Sequence, residues 1–246
     1  MTLGEILHPS CALFLDFDGT MVDLAPQPDA VHVPEPLLAV LRDLHGYLHG
    51  AVAVISGRPI AQLDAYLQPL RLPAAGVHGA ERRSDDGTMH LLNTHPLDHV
   101  EEAAFALASQ HPGLLVENKR GSLALHYRQR PELEALCLAS MQRAVEESPG
   151  LTLLRGKMVA EAKPGGASKG RAIEDFLAEA PFAGRAPLFI GDDITDEVGF
   201  ATVQRLGGIG VKVGEGATVA WHRMPDPATL RRELKAAVAA RTTRTP

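Results

Sequence analysis

Four short runs in this chain combine residues whose types and spacing can do chemistry. Asp16-Phe17-Asp18-Gly19-Thr20 sets two carboxylates two residues apart, Ser56-Gly57 puts a hydroxyl beside a permissive backbone, Ser168-Lys169-Gly170 offers an ammonium, and Gly191-Asp192-Asp193-Ile194-Thr195-Asp196-Glu197 is dense in carboxylates. Brought into one crevice, Asp16, Asp18, Asp192 and Asp193 repel one another unless a hard cation with a preference for oxygen sits among them, and Mg²⁺ is the natural candidate. Such a cation makes a seat for a phosphoryl group, whose charge must be neutralised and whose oxygens must be held in line. Ser56 and the amides around Gly57 can donate to phosphate oxygens, and Lys169 can supply a point charge. One carboxylate can then attack phosphorus, while a second protonates the leaving oxygen and later takes a proton from water. Asp18 suits the second task if neighbouring carboxylates favour its neutral acid form.

Taken singly, each run has an ordinary explanation. An Asp-x-Asp is more often a solvated turn, Ser56 a helix cap and Lys169 a surface lysine. Order along the chain argues otherwise, because each run follows an element that places ligands at the carboxyl end of a parallel sheet. Cys11–Asp16 is a short apolar run that reads as a strand buried on both faces. Pro36 opens a helical pattern with Leu37, Leu38, Leu41, Leu44 and Leu48, closed by Gly50. Ala51–Ile55 repeats the strand, and Ile60, Leu63 and Leu67 mark the next helix. This β-α-β-α rhythm predicts a parallel sheet with right-handed crossovers. It returns after about Pro164, with a helix from Ser168, a strand Pro187–Gly191, a helix near Ile194–Val203 and a strand Gly208–Val213.

Between them the texture changes. A turn signal at Ser84-Asp85-Asp86-Gly87, a helix near 97–110, strands Leu114–Lys119 and Ser122–Arg128 about a turn at Arg120-Gly121, a helix Pro131–Glu147, and strands Leu151–Arg155 and Met158–Ala162 about Gly156-Lys157 predict an antiparallel sheet with helices on one face. The 246 residues are about 1.6 times a typical domain of roughly 150. The simplest account is an α/β, Rossmann-like catalytic core at 1–80 and 164–246, interrupted by an inserted α+β cap at 81–163. Arg241–Pro246 reads as a frayed tail.

Composition removes other functions. With 24 basic against 30 acidic residues, formal charge −6, and only seven Phe, three Tyr and one Trp, neither a phosphate backbone nor stacked bases find a surface, and the core should be aliphatic. No apolar run reaches the ~18 residues of a membrane span, and Met1–Glu5 lacks a secretory start, so a cytoplasmic location is expected. Cys11 and Cys137 lie far apart and read as free buried thiols. Gly165–Gly170 lacks the residue order of a nucleotide phosphate loop, His45/His49 and His95/His99 lack the Glu of a zinc protease motif, and Gly207–Gly216 is not followed by the acidic residue of a dinucleotide site.

The four runs together resemble the haloacid-dehalogenase-like phosphatases. Leu13–Thr20, Val54–Arg58, Gly76–Glu81, Ala124–Arg128, Val159–Gly170, Gly191–Glu197 and Val211–Gly214 resemble, over about residues 12–220, the trehalose-6-phosphate phosphatase family within it. His78-Gly-Ala-Glu81, His126-Tyr-Arg128 and Glu161-x-Lys163-Pro164 carry the narrower likeness. The resemblance implies Asp16 as nucleophile and Asp18 as acid/base. It implies Mg²⁺ held by the Asp16 carboxylate, the Asp18 main-chain carbonyl and Asp192, with Asp193 close behind, and phosphate held by Ser56, Gly57 and Lys169. Glu117, Lys119 and Glu161 match positions that grip sugar hydroxyls, which need partners once water is expelled. The implied partner is a small sugar phosphate, with no nucleic acid or membrane involved and the chain acting as a monomer. Alternatives are a capped phosphatase for sucrose phosphate or a glycosylglycerate phosphate, a phospho-accepting signalling domain, and a catalytically silent regulatory subunit.

Overall fold

A computed structural model describes residues 2–25, 30–93, 95–119 and 121–242. The chain divides into two units, one comprising the residues up to His90, Ser168–Asp192 and Asp196 onward, the other Leu91–Ala167 with Asp193–Thr195.

The first unit contains α1 (Leu3–Ile6), β1 (Cys11–Leu15), α2 (Glu35–Tyr47), β2 (Val52–Ile55), α3 (Ile60–Leu67), β3 (Ala74–Gly76), β4 (Glu81–Arg83) and β5 (Met89–Leu91) up to His90, the last residue before the second unit. The second contains α4 (Asp98–Gln110), β6 (Leu115–Lys119), β7 (Ser122–His126), α5 (Glu134–Glu146), β8 (Leu151–Gly156) and β9 (Val159–Pro164). The chain then re-enters the first unit with α6 (Lys169–Leu177), β10 (Ala186–Gly191), α7 (Glu197–Arg205), β11 (Ile209–Val213), β12 (His222–Met224) and α8 (Pro227–Thr242).

The large sheet runs β12-β11-β10-β1-β2-β3-β4-β5, parallel from β12 to β3. All five residues of β1 and all four of β2 are buried, as expected of strands covered on both faces. The sheet places β10, which ends the last third's main strand, directly beside β1, with Leu15 opposite Ile190. The carboxyl ends that carry Asp16 and Asp192 are therefore neighbours.

Three expectations change. The turn at Ser84–Gly87 does not belong to the insert: β4 pairs antiparallel with β3 and extends the large sheet, so the first crossing lies at Leu91 and the second at Ala167, displaced from 80 and 163. The core is not simply aliphatic. Six of the seven Phe are fully buried in it, with Phe14, Phe176 and Phe182 meeting at centroid distances of 5.0 to 6.0 Å. Helix α8 runs through Thr242, so Arg241 and Thr242 of the expected tail are helical; residues 243–246, like Arg120 of the expected turn, lie outside the described residues. Both cysteines are free and buried. None of the described helices is long and apolar enough to cross a membrane.

The second unit is a four-stranded antiparallel sheet, β6-β7-β9-β8, with α4 packed on β6 and β7 and α5 on β8 and β9. Leu123, Leu125, Ala160 and Ala162 join Val100, Cys137 and Met141 in a core of its own. Alternation along the strands sends Glu117, Lys119, Ser122, Ala124 and Glu161 to the opposite face.

Candidate active site

The turn after β1 and the turn after β10 meet through side chains. Lys169, at the first position of α6 and 3% exposed, donates from Nζ to Asp16 Oδ1 at 2.8 Å and to Asp196 Oδ1 at 2.6 Å. The other oxygen of Asp196 accepts the backbone N–H of Asp192 at 2.9 Å, closing the turn that leads into α7. Thr20 Oγ1 lies 3.2 Å from Asp192 Oδ1 and 3.4 Å from Asp16 Oδ2. Lys212 on β11, itself buried, donates to the backbone carbonyl of Asp192. Asp16, Asp192 and Asp196 each offer an oxygen within 4.8 Å of the others.

Burial pushes the Asp16 carboxyl well above its usual range; Lys169 works against this, and the charges of Asp196 and Asp192 add to it. Burial opposes the Lys169 charge, but Asp16 and Asp196 outweigh it and hold the ammonium protonated. Three buried or half-buried carboxylates with an ammonium between two of them form an all-oxygen donor set with surplus negative charge. That set fits a hard divalent cation.

Gly19 is dictated by this crowding. Its φ is +76°, and a Cβ there would stand 2.2 Å from Asp192 Oδ2, so only glycine lets the second carboxylate approach the first turn.

Asp18 faces differently from expectation. Arg58 meets it with Nε on Oδ2 at 2.6 Å and Nη2 on Oδ1 at 2.8 Å. The neighbour that reaches its carboxylate is thus a guanidinium, and the crowding by carboxylates proposed as the reason for a neutral acid is replaced by a bidentate ion pair. Arg58 lies over the rings of Tyr66 and Phe17, 5.2 and 5.9 Å from their centroids, and its Nη1 reaches Gln62 Oε1 at 3.3 Å.

Ser56, 1% exposed, stands at the end of β2, and its Oγ accepts the backbone N–H of Arg58 at 3.1 Å. Gly57 follows because His78 occupies the space beside it: a Cβ would lie 2.7 Å from both Cε1 and Nε2 of the imidazole. Val77 and His78 are both left-handed, at φ +48° and +55°, a costly conformation for a β-branched residue. Backbone bonds from Val77 N–H to Arg58 O (3.1 Å) and His78 N–H to Ser56 O (2.9 Å) hold them there.

The first unit therefore gathers Asp16, Asp192 and Lys169, with Ser56, Gly57 and Asp18 on the adjoining turns. Asp193 is not in the carboxylate group; it falls in the Asp193–Thr195 segment that groups with the second unit. Asp196 belongs to that group, although the Gly191–Glu197 run alone gave that residue no role. Its four-residue spacing from Asp192, one turn of helix, was the available signal. Arg58, next to the Ser56-Gly57 pair, likewise has no role legible from sequence alone.

In the second unit, Glu117 and Glu161 stand in one row across β6, β7 and β9, with Ala124 between them. Lys119 Nζ donates to Glu161 Oε2 at 3.1 Å and lies 3.8 Å from Glu117 Oε2. Ser122 Oγ donates to Glu161 Oε1 at 2.9 Å, and His126 Nε2 is 2.9 Å from Glu117 Oε2. Burial acts to raise the Glu117 carboxyl, but the His126 hydrogen bond and the Lys119 charge overcome it and hold it below the ordinary value. Glu161 is 2% exposed, and a carboxylate so buried needs its partners.

Residues 14–226 match the trehalose-phosphatase family. The trehalose-6-phosphate phosphatase of Escherichia coli (strain K12) is 46% identical over 220 residues, 89% of this chain and 83% of that protein. A probable trehalose-phosphate phosphatase of Sinorhizobium fredii is 44% identical over 208 residues, 82% of this chain and 77% of that one. The C-terminal domain of C. albicans trehalose-6-phosphate phosphatase superposes with a TM-score of 0.86 at 20% identity, covering 94% of this chain and 93% of its own, which speaks for the fold alone. With the family match spanning the large sheet, the inserted sheet and every turn described above, this chain belongs to the trehalose-phosphatase family of hydrolases, built on the haloacid-dehalogenase-like fold.

Proposed function

We propose that the chain hydrolyses trehalose 6-phosphate to trehalose and phosphate through an aspartyl-phosphate intermediate, with Mg²⁺ as cofactor. The observation that carries this reading is the buried Lys169–Asp16 pair beside Asp192, a charged oxygen site at the carboxyl ends of adjacent parallel strands. Asp16 and Asp192, with the Asp18 carbonyl, are the residues to hold Mg²⁺; when bound, it neutralises phosphoryl charge and steadies the group for in-line attack.

Asp16 is the nucleophile. Lys169 occupies one of its oxygens, leaving the other to meet phosphorus, and the same ammonium offsets charge on the phosphoryl oxygens. Ser56 and the Gly57 amide bind those oxygens. Asp196 keeps Lys169 and the Asp192 amide in place, with Asp193 close behind the metal ligands. Asp18 protonates the departing sugar oxygen and then accepts a proton from the water that releases phosphate. Glu117, Lys119 and Glu161 bind sugar hydroxyls, supplying acceptors and a donor of the kind a polyol requires. The reading includes a monomer in the cytoplasm acting on a small solute.

The test is Mg²⁺-dependent phosphate release over a panel of sugar phosphates, with Asp16→Asn as control. Trehalose 6-phosphate should be among the best substrates, and Asp16→Asn should be inactive. If sucrose phosphate or a glycosylglycerate phosphate clearly outranks it, the substrate assignment is wrong; if Asp16→Asn turns over normally, the mechanism is.

A further inference from the structure

We propose that Arg58 is a positioning residue for Asp18: its guanidinium fixes the plane and direction of that carboxylate so that the proton passes between Asp18 and the sugar oxygen. The inference rests on the assignment of Asp18 as acid/base given above.

An aspartate on a turn has two side-chain torsions, and a general acid with those torsions free spends much of its time aimed elsewhere. Here both carboxylate oxygens are engaged, at 2.6 and 2.8 Å, by one planar fork. That geometry sets orientation as well as distance, which a lysine's single point charge does not. The fork is in turn immobilised. It is 9% exposed, lies over Tyr66 and Phe17, and bonds Gln62 one turn into α3, while its own backbone N–H is fixed by Ser56 Oγ. The turn that supplies the phosphate-binding hydroxyl therefore also supplies the clamp on the acid. Arg83 makes an equally tight fork on Asp64, but that pair touches none of the residues assigned to the reaction.

Asp18, paired with Arg58 as a carboxylate, takes up a proton from water before the first step; as the phosphorus–sugar oxygen bond breaks and Asp16 gains the phosphoryl group, the sugar oxygen takes that proton. Asp18 is left as the carboxylate that the Arg58 fork matches. In the second step water attacks phosphorus, Asp18 accepts the water proton, and the Asp16–phosphorus bond breaks.

The experiment measures kcat/KM of the Mg²⁺-loaded full chain for phenyl phosphates graded by the acidity of the leaving phenol, together with one alkyl phosphate. This quantity ends at departure of the leaving group, so it isolates the step in which Asp18 acts as acid. A 4-nitrophenolate needs no proton and an alkoxide does, so Arg58→Met should lose about 100-fold on the alkyl ester and less than about 3-fold on 4-nitrophenyl phosphate. Arg58→Lys should recover part of the difference. Asp18→Asn should show the same steepened dependence, and adding Arg58→Met to it should cost nothing further. An equal loss across the whole series in Arg58→Met overturns the proposal and makes Arg58 a structural or phosphate-binding group. An equal loss across the series in Asp18→Asn instead overturns the acid assignment itself. Should Arg58→Met fail to fold by circular dichroism, Arg58→Gln and Arg58→Lys are judged by the same slope.

Discussion

Lys169 and Asp16 stand 153 residues apart in sequence and meet at 2.8 Å as a buried ion pair. The contact exists only because β10 returns to lie beside β1 after the insert, bringing α6 with it. It joins the two sequence-distant halves of the first unit at Asp16, the proposed nucleophile.

Removing the ammonium leaves Asp16 and Asp196 buried without their cation. Lys169→Met is expected to cost about 3–5 kcal/mol of stability along with activity, read as a lower urea midpoint and lost phosphate release. Adding Asp196→Asn should restore part of the stability and none of the activity. An unchanged midpoint in the single variant would falsify the view that these charges are held only by each other.

Gly19→Ala forces a side chain into a left-handed turn and against the Asp192 carboxylate. The backbone alone accounts for roughly 1–2 kcal/mol. The sharper effect is on metal binding, because Asp192 must move. Mg²⁺ at about 100 times its Kd should stabilise the unsubstituted protein by about 2.7 kcal/mol, and the substitution should remove most of that gain. Calorimetry with and without Mg²⁺ decides; equal gains in both proteins would show that the carboxylate does not serve the metal.

His126 braces one oxygen of Glu117 on the polar face of the inserted sheet. Losing one such hydrogen bond is worth about 1 kcal/mol, so His126→Ala should raise KM for trehalose 6-phosphate about fivefold to tenfold. Turnover of 4-nitrophenyl phosphate, which has no sugar to bind, should stay as it was. A comparable rise for both substrates would remove Glu117 from sugar recognition.

Glu117 also sets a direction for pH. Its folded-state carboxyl lies below the ordinary value of 4.5, so the stability it contributes is fully present above that value and is lost as pH falls through the folded value. Urea unfolding of the parent and Glu117→Gln should therefore show a gap near neutrality that narrows on acidification below 4.5. A gap that widens in acid contradicts the sign.

The sequence reading located the parallel strands and the carboxylate runs because both depend on local pattern: β1 and β2 are continuous apolar runs, and each ends where polar residues begin. It did not find β12 or α8, though Leu230, Leu234 and Ala237 carry a helical spacing and are buried. It misplaced the Ser84–Gly87 hairpin because a turn signal shows that two strands pair with each other, not which sheet they join. The same limit applied to the site. Composition shows that Asp18 has acidic neighbours in sequence, whereas its partner in space, Arg58, comes from another turn and is fixed by stacking on Tyr66. Asp196 had no role on sequence alone for a similar reason: its bonds to Lys169 Nζ and to the Asp192 N–H come from the folded turn, not from the run of carboxylates.

The central place of β1 has a consequence for motion. Flanked by β10 and β2 and buried along its length, it should have amides that exchange with solvent only when the whole unit opens, and Asp16, whose own N–H bonds Ile190 O at 2.9 Å, should share that slow opening. Fraying at the short outer strands β5 and β12 is insulated from it by several intervening strands. Asp16 should thus keep its aim through fluctuations short of the unfolding of the first unit, and loss of activity on denaturation should coincide with loss of that unit's fold.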